Sequence, residues 1–179
     1  MNGSGDSQKS TPAERCVDYG WSRNVDTVMG DNAPSGPTFL YFDGSVRYDT
    51  DGETPISAAG GYSIETAGSV LQERSLQIPR PVSSTHAEYH ALLQAVQEID
   101  DLAYPVESLY VYGDSESVMS TVDPSANSTP RDRFGRRQVA WIQSQLAEIP
   151  VVGYRTVSRG QNHNAHRLAT RGHDPTGGD

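Results

Sequence analysis

The hydrophobic period of this 179-residue chain changes near residue 80, and that change limits the folds it can adopt. Before the change, residues 69–78 alternate apolar and polar side chains, which is the two-residue period of a half-buried strand. After Pro79 and Pro81 the period becomes helical, with apolar side chains at Leu92, Ala95, Val96 and Ile99. A chain that passes from strands to helices in this way is typical of a sheet covered by helices.

The rest of the chain extends this pattern. The predicted strands are residues 38–43, 56–66, 69–78, 107–112 and 151–157. The predicted helices are residues 85–100, a short helix ending at residue 122, residues 131–148 and residues 162–171. This order predicts an α/β fold with a five-stranded mixed sheet, made of a three-strand antiparallel meander plus two parallel strands and flanked by helices.

The predicted domain runs from residue 38 to residue 172. Residues 1–37 are rich in Gly, Ser, Asp, Asn and Pro, so we expect a poorly ordered extension there, and a disordered tail at residues 173–179. The single cysteine, Cys16, excludes an intramolecular disulfide framework and a cysteine zinc site. Because no apolar run approaches ~20 residues and the N-terminus lacks a signal-peptide pattern, we expect a cytoplasmic protein without a membrane partner. The expected oligomeric state is a monomer.

The formal net charge of −9 hides a division along the chain. Residues 38–130 hold 14 acids and three arginines, a sum of −11, whereas residues 131–171 hold eight arginines and two acids, a sum of +6. An acidic chain normally disfavours nucleic acid as a partner, because phosphate contacts need basic side chains. The separate basic segment keeps that partner open, although codon bias alone would also favour arginine over lysine.

Three carboxylates follow or face the predicted sheet. Asp43 and Asp114 come at the ends of the first and fourth strands, so they meet at one sheet edge if those strands are parallel neighbours. Glu88 shares a helical stripe with Leu92 that faces the sheet. Each acid alone has an ordinary explanation: Asp43 as a turn residue, Glu88 as the partner of Thr85 in a capping box, and Asp114 as a helix cap.

Together, the three acids indicate a metal site. Carboxylates that converge without basic partners repel one another, and a divalent cation removes that penalty. Their hard oxygen atoms suit Mg²⁺ or Mn²⁺. Two such ions can activate a water and stabilise the leaving oxygen in phosphodiester cleavage.

Four segments resemble the ribonuclease HI family, closest to its archaeal-type and reverse-transcriptase-like branch. They are residues 40–45 (LYFDGS), 85–93 (THAEYHALL), 112–115 (YGDS) and 157–169 (VSRGQNHNAHRLA). The resemblance covers about 135 residues in the family's order and spacing. It implies a ribonuclease H-like fold and metal-dependent endonucleolytic cleavage of the RNA strand in RNA/DNA hybrids, with two ions and with 5′-phosphate and 3′-hydroxyl products.

By this resemblance, Asp43, Glu88 and Asp114 are the first three carboxylates of the catalytic, metal-binding set. The fourth position normally carries Asp, and this chain has His166 there. A neutral imidazole can bind Mn²⁺, and Mg²⁺ more weakly, so His166 as the fourth ligand predicts a preference for Mn²⁺. His166 could instead handle protons, or it could mark drift at an attenuated site.

The resemblance also suggests residues that contact the hybrid. Ser84, Thr85 and His86 precede the helix glutamate, where the family reads the minor groove, and their side chains could bind 2′-hydroxyls. The arginines that enter the second long helix are predicted to contact the backbone of the DNA strand. The full predicted substrate-binding set is Gly44, Ser45, Ser84, Thr85, Arg131, Arg133, Arg136, Arg137 and Arg159.

Two other functions stay open at this stage. A non-catalytic module could keep the fold and bind nucleic acid or a protein, with His166 as the sign of lost chemistry. A metal-dependent exonuclease or transposase-type relative is disfavoured, because the first strand carries Asp-Gly-Ser and lacks the Asp-x-Glu of proofreading exonucleases.

Overall fold

One five-stranded sheet organises the computed structural model, which describes residues 36–80 and 82–174. The strands are β1 (Thr38–Tyr48), β2 (Pro55–Thr66), β3 (Ser69–Ile78), β4 (Ser108–Gly113) and β5 (Val151–Thr156). The helices are α1 (Ser84–Asp100), α2 (Glu116–Val122), α3 (Arg133–Leu146) and α4 (His163–Arg171), with a 3₁₀ turn at Pro124–Ala126. The element order is the predicted one.

The spatial order of the strands is β3-β2-β1-β4-β5. The first three strands pair antiparallel, whereas β1 pairs parallel with β4 and β4 pairs parallel with β5. The predicted mixed sheet, with its meander and two parallel strands, is therefore confirmed. Gly68, at φ +112° in the β2–β3 turn, adopts a backbone conformation that side chains rarely allow.

Two consecutive glycines in β2 show that α1 and α4 cover opposite faces of the sheet. A Cβ on Gly60 would lie 2.9 Å from Cβ of Ala91 in α1, and a Cβ on Gly61 would overlap the backbone of α4 at Ala169. Because successive residues of a strand face opposite sides, these two contacts lie on opposite faces. The Ala-Ala-Gly-Gly segment therefore permits close backbone packing on both sides of the sheet.

The main core lies between the sheet and α1, with α3 packed beside it. The predicted inward stripe of α1 is confirmed, because Leu92 and Ala95 are fully buried and Ile99 nearly so. Fully or almost fully buried strand residues complete this core: Leu40, Phe42, Tyr62, Ile64, Leu109 and Val111. Within the described part of the chain, no helix is long and apolar enough to cross a membrane.

The structure corrects two local predictions. Strand β1 continues to Tyr48, so Asp43 lies in mid-strand and Gly44 makes no turn, because β2 pairs with β1 beyond the point where β4 ends. The N-cap of α1 is Ser83, whose hydroxyl accepts a hydrogen bond from the His86 amide at 3.3 Å. The predicted capping box of Thr85 and Glu88 is therefore wrong.

The predicted domain boundaries can be compared with the structure at the C-terminal end only. Residues 1–35 of the predicted extension and residues 175–179 of the predicted tail lie outside the described residues. His173 and Asp174 were assigned to the tail, but His173 is 7% exposed and Asp174 forms an ion pair with Arg47 at 3.0 Å. The folded unit therefore reaches two residues further than the apolar pattern suggested, because polar contacts hold this end.

Candidate active site

An open cleft lies beside β1, at the point where the parallel pairing with β4 stops. The last pair in register is Tyr41 with Tyr112, so beyond it β1 has β2 on one side and no strand on the other. The cleft occupies this gap and has a volume of about 350 Å³. Its walls come from five separate elements or loops, and its lining residues are Asp43, Gly44, Ser45, Val46, Ser84, Glu88, Asp114, Ser115, Arg159 and His166.

The three predicted carboxylates and His166 all line this cleft. Asp43 comes from β1, Glu88 from α1, Asp114 from the loop after β4, and His166 from α4. Strands β1 and β4 are parallel neighbours, which is the relationship that the convergence of Asp43 and Asp114 requires. The four side chains are thus brought together from positions up to 123 residues apart.

Gly44 explains how Glu88 reaches the same cleft as Asp43. A Cβ on Gly44 would lie 2.6 Å from the carbonyl carbon of Ala87 and 2.9 Å from the Ala87 Cβ. Neither backbone can move easily at such distances, so only glycine lets the first turns of α1 lie directly against β1. This close approach places Glu88 next to the strand that carries Asp43.

Asn162 holds the third carboxylate in place. This residue is 1% exposed, and its Nδ2 donates to the carbonyl oxygen of Phe42 at 2.9 Å and to Oδ1 of Asp114 at 3.2 Å. The amide therefore ties the start of α4 to β1 and to the end of β4. Sequence reasoning quoted Asn162 as part of a motif but gave it no role, and its position four residues before His166 was the available signal.

The electrostatics of the cleft disfavour charge on two of the acids. Burial raises the pKa of Glu88 to about 8; a hydrogen bond from Ser115 opposes this shift and the charges of Asp43 and Asp114 add to it. Burial also raises the pKa of Asp43, against the lowering effect of its hydrogen bond with His166. Carboxylates that share a buried site with few cations behave in this way.

His166 links Asp43 to Arg159. Its Nδ1 lies 2.7 Å from Oδ2 of Asp43, and its Nε2 lies 2.8 Å from Nη2 of Arg159. The same Nη2 is 3.3 Å from Nδ1, so the guanidinium contacts both ring nitrogens. The side chain of His166 is 34% exposed, whereas that of Asp43 is only 8% exposed, so the chain of contacts runs from the interior to the surface.

The chemistry of these donors fits a hard divalent cation. Carboxylate oxygens are the preferred ligands of Mg²⁺ and suit Mn²⁺, and a bound cation would offset the burial and the repulsion that raise the pKa of Glu88. Among residues 36–80 and 82–174, however, no three His, Cys, Asp or Glu side chains converge on one ligand position.

The predicted substrate-binding residues separate into two groups. Gly44, Ser45, Ser84 and Arg159 line the cleft with the carboxylates. The others lie outside that lining: Thr85, Arg131, Arg133, Arg136 and Arg137 are all exposed.

Helix α3 begins two residues later than predicted, so Arg131 precedes it, and the N-cap Asp132 accepts a hydrogen bond from the Gly135 amide at 2.8 Å. Asp132 also lies 3.1 Å from Nε2 of His86, which turns away from the cleft. The guanidinium of Arg136 donates to the carbonyl oxygens of Pro130 and Arg131. Arg136 is therefore already engaged with the loop before α3.

Ser45 is held from behind by a residue that sequence reasoning missed. The Nε2 of His173 lies 3.0 Å from the Ser45 hydroxyl, and its Nδ1 lies 2.7 Å from the Ser57 hydroxyl. Burial and the charge of Arg47 lower the pKa of His173, against the opposing effect of Asp174. The neutral imidazole thus bridges β1 and β2 next to the cleft.

Solved structures with the same fold are ribonucleases H. RNase H1 from the halophilic archaeon Halobacterium salinarum is 24% identical, with a TM-score of 0.67, and the match covers 78% of this chain and 99% of that one. The N-terminal RNase H domain of a Mycobacterium tuberculosis protein is 23% identical, with a TM-score of 0.67, over 78% and 94% of the two chains.

A third similar structure is LC11-RNase H1, isolated from compost by a metagenomic approach and solved in complex with an RNA/DNA hybrid. It is 23% identical, with a TM-score of 0.65, over 78% of this chain and 98% of that one. The architecture of the present chain is therefore a ribonuclease H fold.

The sequence itself matches the family model described as reverse transcriptase-like over residues 42–172. The chain belongs to this reverse transcriptase-like family. The matched residues include Asp43, Glu88, Asp114 and His166, and the predicted resemblance to the reverse-transcriptase-like branch of ribonucleases H is confirmed. A comparison with curated protein sequences found no significant match.

Proposed function

We propose that this chain is a ribonuclease H, a metal-dependent endonuclease that hydrolyses the RNA strand of RNA/DNA hybrids. The observation that carries the proposal is the cleft in which Asp43, Glu88 and Asp114 meet on a ribonuclease H fold. A site that only bound nucleic acid would gain nothing from three acids placed where phosphate must approach. The raised pKa values of Asp43 and Glu88 are the cost of keeping them there.

In this proposal Asp43, Glu88 and Asp114 hold divalent metal, Mg²⁺ or Mn²⁺. When bound, the metal supplies an activated water and stabilises negative charge on the phosphate. Asn162 keeps Asp114 directed at the cleft, and Arg159 offers the positive charge that approaches a phosphate. The resemblance implies two ions and His166 as a fourth ligand. Both depend on position 166, where this chain has His in place of the family's Asp.

The proposed substrate is an RNA/DNA hybrid, the molecule bound in the solved complex of LC11-RNase H1. The hydroxyls of Ser84 and Thr85, exposed at the start of α1 beside the cleft, are suited to the 2′-hydroxyls that distinguish RNA from DNA. We assign the exposed arginines before and within α3 to the backbone of the DNA strand. We further propose that the domain of residues 38–172 acts as a monomer in the cytoplasm.

The test is cleavage of hybrids labelled at either end of the RNA strand, in Mg²⁺ and separately in Mn²⁺. We expect internal cuts with 5′-phosphate and 3′-hydroxyl ends, and no cutting of duplex DNA. Asp43→Asn should abolish cleavage, whereas Asp101→Asn, the same change at the exposed C-cap of α1, should keep it. Stepwise shortening from one end would instead identify an exonuclease.

The second candidate function is a binding module without catalysis. The contact between His166 and Asp43 favours it, because the imidazole engages a carboxylate that metal would need. Hybrid binding that persists in EDTA, together with no cleavage in either metal, would support this module and contradict the nuclease. Cleavage restored by His166→Asp alone would locate the loss of chemistry at that position.

A further inference from the structure

A second cavity lies outside the candidate active site, where α1, α3 and the end of β3 meet. Its volume is about 270 Å³, and its lining includes Ile78 of β3, His86 and His90 of α1, and Phe134 and Gln138 of α3. Its surface is predominantly apolar, and none of these residues lines the cleft that holds the carboxylates. The volume lies just below the range of about 300–1,000 Å³ found for pockets that enclose a drug-sized ligand, so this cavity suits a single small ring system.

Two polar atoms of the residues that line this cavity are buried without a hydrogen bond. Gln138 is only 8% exposed, and neither its Oε1 nor the Nδ1 of His90 has a hydrogen-bond partner among the described residues. A buried polar group without a partner costs free energy that a hydrogen bond would recover. Because a carbonyl oxygen can only accept, the partner that Gln138 lacks is an N–H or O–H group.

Phe134 gives the cavity an exposed aromatic wall. This large apolar residue is 53% exposed, and its ring meets that of His86 edge to face, with ring centroids 5.1 Å apart. Exposed aromatic rings are the surfaces on which unpaired bases of nucleic acids stack. A planar ring that carries an N–H group would therefore suit both the aromatic wall and the acceptor of Gln138.

The charge around Phe134 favours an anionic ligand. Residues 131–137 hold four arginines and one acid, a sum of +3, and all four arginines are exposed. Nucleic acid combines negative phosphates with planar bases that carry N–H groups. A base inside a duplex is stacked and paired, so an unpaired base enters such a cavity at a lower cost.

From these features we propose that the cavity binds one unpaired nucleobase of the DNA strand, where that strand continues beyond the hybrid. Phe134 stacks on the base, and Oε1 of Gln138 accepts a hydrogen bond from its N–H group. The exposed arginines beside Phe134, assigned above to the backbone of the DNA strand, contact the neighbouring phosphates. The inference rests on the proposed function and names hybrids with a single-stranded DNA extension as the preferred substrates.

The experiment measures hybrid binding by fluorescence anisotropy in Mg²⁺, with the full-length chain carrying Asp43→Asn so that the hybrid stays intact. Short single-stranded DNA tails are placed at the 5′ or the 3′ end of the DNA strand, and the better of the two should tighten binding about 10-fold over a blunt hybrid. The same tail made of abasic nucleotides keeps every phosphate and should lose most of this gain. Equal affinity for the normal and the abasic tail would overturn the inference.

Two pairs of variants test whether the base binds in this cavity. Phe134→Ala should remove the gain from the tail, whereas Trp141→Ala, at an exposed aromatic residue of α3 outside the cavity lining, should keep it. Gln138→Leu should reduce the gain and raise the melting temperature of the free protein, because it removes a buried acceptor without a partner. Gln145→Leu makes the same change on α3 outside the lining and should do neither.

A gain from the tail that survives both Phe134→Ala and Gln138→Leu would overturn the inference. Cleavage of a blunt hybrid by the wild type is measured separately. Absence of that cleavage would contradict the proposed function, whereas cleavage without any effect of a tail on binding would refute only the base-binding cavity.

Discussion

Asn162 donates one amide hydrogen to Asp114 across 48 residues of sequence, and the same nitrogen bonds the backbone of β1 at Phe42. This single side chain sets the direction of a carboxylate that belongs to a loop and has no other described hydrogen-bond donor. Loss of the Asn162 side chain should therefore affect catalysis more than it affects folding.

Asn162→Ala should lower kcat by about 10-fold or more, because a misplacement of about 1 Å in a reacting group costs on the order of 100-fold in rate. We expect KM for the hybrid to change little, since Asn162 is 1% exposed and cannot contact the substrate. Asn164→Ala is the matched control on α4, because its amide bonds Glu73 on β3. Equal losses of kcat in both variants would remove the assigned role of Asn162.

Gly44→Ala should destabilise the fold by about 2 kcal/mol, within the usual range for overpacking. The added Cβ would meet the backbone of α1 at Ala87 and push the helix from β1, so cleavage should fall as well. Gly160→Ala is the control, because a Cβ there meets no atom closer than the Ser158 hydroxyl at 4.0 Å. Chemical denaturation of both variants checks the prediction, and a stable Gly44→Ala protein would contradict it.

Glu88→Gln should stabilise the metal-free protein at alkaline pH. The folded pKa of about 8 lies above the ordinary value of 4.5, so the fold favours protonated Glu88 and loses stability as pH rises from 4.5 to 8. The substitution removes that ionisation, so it should raise the free energy of unfolding by on the order of 2 kcal/mol at pH 8.5 in EDTA and change it little at pH 4.5. Glu53→Gln, in an exposed turn, should have no effect at either pH.

The same pair of variants separates metal binding from general electrostatics. Saturating Mn²⁺ should raise the melting temperature of the wild type and of Glu53→Gln, because an ion bound only by the folded state stabilises it. Saturating Mn²⁺ should raise the melting temperature of Glu88→Gln far less. Equal metal-induced shifts in all three proteins would exclude Glu88 as a ligand.

His173→Ala should weaken the fold by about 1 kcal/mol at neutral pH, because the bridge between Ser45 and Ser57 is lost. The pKa of His173 is lowered by folding, so its contribution is present above pH 6.5 and disappears as pH falls through the folded value. Melting curves between pH 5 and pH 8 should therefore show a smaller acid sensitivity in His173→Ala than in the wild type. His163→Ala, on the exposed side of α4, should follow the wild type.

Arg133→Ala combined with Arg137→Ala should raise KM for the hybrid and leave kcat nearly unchanged. Both arginines are exposed in α3 and outside the cleft, so they can bind the substrate backbone without touching the reacting phosphate. Loss of about two phosphate contacts should also reduce the salt dependence of binding. Arg80→Ala, at an exposed position beyond β3, is the control, and an unchanged salt slope in the double variant would exclude the assigned contact.

The convergence of Asp43, Glu88 and Asp114 could be predicted because it follows from topology. Parallel pairing of β1 with β4 brings two acids to one place, and the buried helical stripe that Glu88 shares with Leu92 directs the third inward. Strand and helix periods survive in any sequence with this fold, so these relationships are visible before the structure is known.

The rest of the site depends on choices that sequence patterns do not contain. Ser83 and Thr85 are both good helix caps, and only the path of the chain after β3 decides between them. The contact of His166 with Asp43 and the hydrogen bond from the Asn162 side chain to Asp114 depend on rotamers and on contacts between segments far apart in sequence. His173 escaped notice because polar contacts, which leave no hydrophobic period, hold it.

The adjacent glycines of β2 have a consequence for how the cleft can evolve. Gly60 admits α1, which carries Glu88, and Gly61 admits α4, which carries His166. Strand β2 thus sets the distance between these two helices, and it lies on the side of β1 away from the cleft opening. A substitution that adds a side chain at either glycine would change the distance between α1 and α4, although neither glycine lines the cleft. This dipeptide therefore controls the geometry of the site from outside it.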